Sequence, residues 1–209
     1  MKTGHGWLTK NPDNVEKHGV VGEYGLMLFS GATVRPNIFQ RLEVSWIVGF
    51  LALAFLAPYV VHFIPSWDDS PVGAKLLPIF YAPLIAALTR KAHVSITVAL
   101  MAPWLNHILI GMPSVPMAII LTVELLIFSI LAERLARRHK GQVWLGPVCY
   151  LLAKPVSLAI LLLMPGFLTG TPSLMRFAMG VVNAWPGLAI LALLSYYVPR
   201  KFPPSAAPA

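Results

Sequence analysis

Charge is what this sequence has least of. Only 11% of its 209 residues are charged, where a soluble domain carries about a quarter. That shortage excludes a soluble enzyme and a disordered regulator. Cysteine is nearly absent too. The lone Cys149 cannot form an internal disulfide, which excludes a secreted disulfide scaffold. Catalytic motifs are also missing: no His-Glu-x-x-His, no Gly-x-Ser-x-Gly, no phosphate loop and no paired Cys/His spacing for a metal. No catalytic residue, metal or cofactor is expected, and the chain does not read as an enzyme. No convincing internal repeat occurs, so the inverted-repeat signature of many secondary transporters is lacking. In excess are hydrophobic residues, at 57%, with a mean hydropathy of +0.71. Such a chain is an integral membrane protein whose spans pack against one another.

The net charge is +8. In a soluble chain that would suggest nucleic acid. Here the basic residues sit between apolar runs, without aromatic-basic interleaving, so no nucleic-acid partner is expected. Residues 1–43 are polar and glycine-rich and read as a cytoplasmic tail. The first apolar run comes too late and runs too long for a secretory signal. Residues 201–209 read as a disordered end.

Six apolar stretches lie between, over about 44–64, 75–89, 92–110, 115–136, 143–164 and 174–198. A helix needs about 20 residues to cross a bilayer. Four stretches carry prolines well inside them (Pro78, Pro83, Pro103, Pro155, Pro186), which suits bent or broken helices in a bundle. The connections settle orientation. Lys2, Lys10, Lys17, Arg35 and Arg41 precede the first stretch. Arg90 and Lys91 follow the second, Arg134, Arg137, Arg138 and Lys140 the fourth, and Arg200 and Lys201 the sixth. The connections between hold Asp68 and Asp69 or no charge. Basic and neutral connections alternate, so the positive-inside rule gives six transmembrane helices with both termini cytoplasmic. The fold class is an all-α membrane protein, the transmembrane domain spans 44–200, and the expected location is the cytoplasmic (inner) membrane.

Ionisable groups within such spans are costly, about 2.5–3.5 kcal/mol at the centre, so each needs a partner or a purpose. Glu124 lies nine residues from Val115 and Lys154 ten from Met164, about 13–15 Å deep on consecutive antiparallel helices. A buried Glu124–Lys154 pair follows. It serves either as a helix clamp or as the lining of a polar cavity. Toward the outer side stand Trp67, Asn106, His107 and Arg176, with Asn183 before the Trp185–Pro186 step. Each has an ordinary use. Trp67 would anchor the interface, Asn106 and His107 would cap a helix, and Arg176 would snorkel. Their convergence on the outward half makes a ligand pocket there the working hypothesis, with these five as ligand-binding residues. Ser45 and Gly49 place small residues on one face of the first helix, suited to docking a partner helix or to packing within the bundle.

The segment HFIP at 62–65, the run ILIGMPSVPMAIILTVELLIFSILAERLARR at 108–138 and the Trp-Pro-Gly step at 185–187 resemble substrate-binding S components of energy-coupling factor (ECF) vitamin transporters. In that family a Thr-Gly-Met-Pro-like turn ends the third helix. A Pro-Met opens the fourth helix, which carries a central Val-Glu-Leu. Gly111, Met112, Pro113, Pro116, Met117, Val123, Glu124 and Leu125 stand in those places. Lys154 stands where many members have a Gly-Arg step. The resemblance covers about 44–200. It implies an S-component-like six-helix bundle that binds a small-molecule micronutrient from outside. It also implies partner subunits, an ECF-type transmembrane protein and ATPases, that supply the energy. The chain departs from the family in its second stretch, FYAPLIAALTRKAHVS, which lacks the family's glycines. The alternative is an accessory subunit of a larger membrane complex that reuses this fold.

Overall fold

The computed structural model describes residues 38–65, 72–89, 91–139, 141–163 and 174–202. Among them the secondary structure is entirely helical. Helix α1 spans Ile38–His62, so the first span begins within the expected tail. The short α2, Val72–Leu76, leads through a 3-10 turn at Pro78–Phe80 into α3, Tyr81–Leu88. Then follow α4, Ala92–Ile110; α5, Val115–Arg138; α6, Leu145–Leu163; α7, Leu174–Asn183; and α8, Trp185–Lys201.

Among the described residues three helices are long and apolar enough to cross a membrane: Glu43–His62 of α1, then α4 and α5. Of the three other expected spans, the fifth is the shorter apolar helix within α6, and the second and sixth differ for identifiable reasons. The second stretch is continuously helical for only eleven residues, Pro78–Leu88, about 16 Å. Before it, Leu77 adopts φ 56°, ψ 40°, a left-handed conformation costly for a side chain with a Cβ. The sixth stretch is two helices. Pro186 has no N–H to donate to the Val182 carbonyl, and the helix is interrupted at Ala184, two residues before it.

Short α3 is the hub. It touches α1, α4, α5 and α8, and Ala82, Pro83, Leu84, Ala86, Ala87 and Leu88 are all buried. On one side its alanines meet Phe50 and Ala54 of α1 and Val94, Val98 and Ala102 of α4. Small side chains let these three backbones approach closely. On the other side Phe80 stands edge-on to both Phe128 and Tyr150, with centroids 5.1 and 5.2 Å away. Leu84, Leu125, Leu145 and Leu191 complete that core.

Polar groups close specific backbone gaps. Ser95 Oγ donates to the Pro83 carbonyl (2.8 Å) and joins α4 to α3. The Gly146 N–H, at the start of α6 where no helical acceptor exists, donates to Ser195 Oγ of α8 (2.9 Å). A Cβ on Gly146 would lie 2.8 Å from that oxygen, and one on Gly187 would lie 2.7 Å from the Lys75 carbonyl. These glycines are contact points between backbones.

Helices α1 and α4 run parallel. The Glu43 carboxylate is 3.6 Å from His93 at their starts. Lys91 Nζ lies 4.6 Å from the Trp46 ring centroid, and Asn106 reaches Ala54 further along. Ser45 and Gly49 lie on the opposite, exposed side of α1. A Cβ on Gly49 would meet nothing within 4 Å. Among the described residues nothing packs against Gly49.

Candidate functional site

A cavity of about 650 Å³ opens among α1, the 72–80 segment, α4, the 111–114 turn, α5, α6 and Gly180 of α7. That size is ordinary for a small-molecule site. Its walls are mostly apolar: Pro58, Leu77, Ile79, Phe80, Ile110, Met112, Met117 and Leu121. The polar groups along it are His62, Asn106, Ser114, Tyr150 and Lys154.

Lys154 Nζ lies 2.9 Å from Glu124 Oε1. The carboxylate is 1% exposed and the lysine side chain 22%. The two charges face each other between α5 and α6, and the lysine borders the cavity. The ammonium approaches Oε1 outside good hydrogen-bond angles, so the attraction there is mainly electrostatic. The Tyr150 ring, one turn earlier on α6, has its centroid 5.2 Å from Nζ and flanks the cation.

Asn106 is almost fully buried. Its Nδ2 donates to the Ala102 carbonyl (2.8 Å) and to the Ala54 carbonyl of α1 (3.3 Å). The second bond has a clear cause. Pro58 lacks the N–H that would have served Ala54, and Asn106 supplies one instead. Its Oδ1 has no partner among the described residues.

The other expected site residues fall differently. His107 does not line the cavity. Its Nδ1 lies 2.8 Å from the Pro113 carbonyl and ties down the turn that closes α4 against α5. Gly111, at φ 76°, makes that turn possible. Asn183 is partly buried at the end of α7 and is not part of the lining. Trp67, with Asp68 and Asp69, lies outside the described residues, as does the side chain of Arg176. Among the described residues, Asn106 is the one expected ligand-binding residue that lines the cavity, together with Lys154 of the pair. Sequence reasoning overlooked Tyr150, although its position four residues before Lys154 puts it on the same helical face. It also overlooked Ser114 and Met117. Among the described residues no three His, Cys, Asp or Glu side chains gather as a metal site.

Compared with family models, curated proteins and solved structures, the chain matches none.

Proposed function

We propose that this chain is the substrate-binding subunit of a vitamin-type micronutrient uptake transporter in the cytoplasmic membrane. It takes its ligand from outside into the cavity beside Lys154. One observation carries the reading: the bundle holds an apolar cavity of about 650 Å³ whose lining includes half of a buried ion pair. Side-chain packing alone would have filled that volume, since interiors are close-packed.

The proposed topology is six membrane segments with both ends cytoplasmic. The alternation of basic and neutral connections supports it. So does the parallel course of α1 and α4, which requires a return through the segment between them. The segment 72–88 is the return, short because α3 is enclosed by neighbours. The resemblance of residues 108–138 to ECF S components supports the transport role and the need for energising partners. The chain itself is not an enzyme on this reading.

One observation favours the accessory-subunit alternative: the second stretch, FYAPLIAALTRKAHVS, lacks the family's glycines. The Ser45–Gly49 face of α1, open among the described residues, suits a partner subunit on either reading. A native mass spectrum of the protein extracted gently from its own membrane separates the two. A small-molecule adduct, or attached ATPase subunits, is expected. Stable attachment to unrelated membrane subunits with an empty cavity would overturn the transport reading.

A further inference from the structure

The polar groups of the cavity specify more than its existence. This step rests on the cavity being a ligand site, as proposed above. Lys154 brings a positive charge to the lining, but Glu124 stands 2.9 Å away and cancels it. An anionic ligand that approached Lys154 would also meet the Glu124 carboxylate in a low-dielectric surrounding, where like charges repel strongly. A neutral hydrogen-bond acceptor meets no such opposition. It can take an N–H from the ammonium, which has three to give and stands between the Glu124 carboxylate and the Tyr150 ring.

Asn106 sets the complementary condition. Both of its N–H groups are committed to backbone carbonyls. Only an N–H group can serve those carbonyls, so the orientation of the amide is fixed. Its Oδ1 is left buried and unpartnered on a residue that lines the cavity. A buried acceptor without a donor is costly; the oxygen has almost no accessible surface in the empty cavity, so a ligand N–H or O–H relieves the cost by parting the side chains that cover it. Two other titratable groups stand among the described lining residues: Tyr150, an uncharged phenol beside Lys154, and His62, which is exposed.

We infer that the site selects an uncharged, largely apolar molecule carrying both a hydrogen-bond donor and an acceptor, as on a primary amide or lactam edge. The acceptor meets Lys154 and the donor meets Asn106. The Glu124–Lys154 pair is thus the device that discriminates against carboxylates, as well as a clamp between helices.

Three probes on one frame test this: naphthamide, naphthoate and N,N-dimethylnaphthamide. The dimethyl compound keeps the acceptor and loses the donor. Binding is measured calorimetrically on the full chain in lipid nanodiscs, with empty nanodiscs as blank. Naphthamide is expected to bind about tenfold or more tightly than either of the others. Asn106→Ala should erase the difference between the two amides. Glu124→Gln should shift the ratio toward naphthoate by about tenfold or more, because Lys154 is then an unbalanced cation. The wild-type comparison stands even if a variant folds poorly. Naphthoate binding as tightly as naphthamide to the wild type overturns the inference and leaves the cavity a ligand site. Absence of binding by all three overturns the ligand-site reading itself.

Discussion

Removing the ammonium of Lys154 leaves the Glu124 carboxylate, 1% exposed, with no counter-charge. Lys154→Met does so while keeping most of the aliphatic stem. Breaking a buried pair from one side costs about 3–5 kcal/mol, mostly the penalty of an uncompensated buried charge. The reverse change, Glu124→Gln, strands a lysine that is 22% exposed along the cavity. Water can reach that charge, so the expected cost is smaller, about 1–3 kcal/mol. The double variant strands no charge, only the introduced amide, and should cost less than Lys154→Met alone. The single costs would then overshoot the double by about 2 kcal/mol or more, which is the coupling of groups in contact. Reversible unfolding in mixed detergent micelles, followed by tryptophan fluorescence, gives all three values. Additive costs would refute the pair as an energetic unit. A larger cost at Glu124 than at Lys154 would refute the assignment of the lysine as the partner that water reaches.

Three further changes probe the scaffold. Ser195→Ala strands the Gly146 N–H at the start of α6; a loss of about 1–3 kcal/mol is expected in the same unfolding assay, and no loss would mean that water takes the serine's place. Gly187→Ala puts a Cβ 2.7 Å from the Lys75 carbonyl; it should cost about 1–3 kcal/mol through overpacking and weaken probe binding, because the displaced 75–77 segment contributes Leu77 to the cavity wall. Gly49→Ala meets open space and should change stability by about 0.5 kcal/mol or less, while a loss of co-purifying partner subunits on that change would identify the face as an interface.

Much of the scaffold was legible because membrane insertion makes single residues informative. Glu124 and Lys154 are conspicuous in apolar runs, and counting residues along two antiparallel helices brings them to one depth. The breaks were less legible. Pro78 and Pro186 announced trouble, but the left-handed turn falls on Leu77, a residue type that gives no warning of positive φ. The hub role of α3 depends on alanines meeting alanines across three helices, which no single segment displays. His107 reads as a ligand candidate until the turn brings the Pro113 carbonyl within 2.8 Å. Asn106 was legible as a polar residue in the outward half. Its orientation was not, because that depends on Pro58, 48 positions earlier in the chain.

The energetics of buried ion pairs bear on why this one exists. A clamp between α5 and α6 needs no charge, since well-packed hydrophobic residues of similar volume do as well or better, by about 1–4 kcal/mol. A pair kept only for stability would also be expected to hide both partners from water. Here the carboxylate is fully enclosed while the lysine lines a cavity. Tyr150 flanks the same cation from one turn away. Asn106 shows the same division of labour. Its amino group repairs the backbone gap left by Pro58, and its oxygen remains unspent, buried on a residue that borders the cavity. In both residues the structural duty uses only part of the hydrogen-bonding capacity, and what remains belongs to groups that border the empty volume. Ser129 Oγ, buried and outside the described lining, also has no partner among the described residues, so unspent hydrogen-bonding capacity alone does not mark a site. What the proposed capture of a neutral polar solute explains is that capacity on two residues that border one open volume.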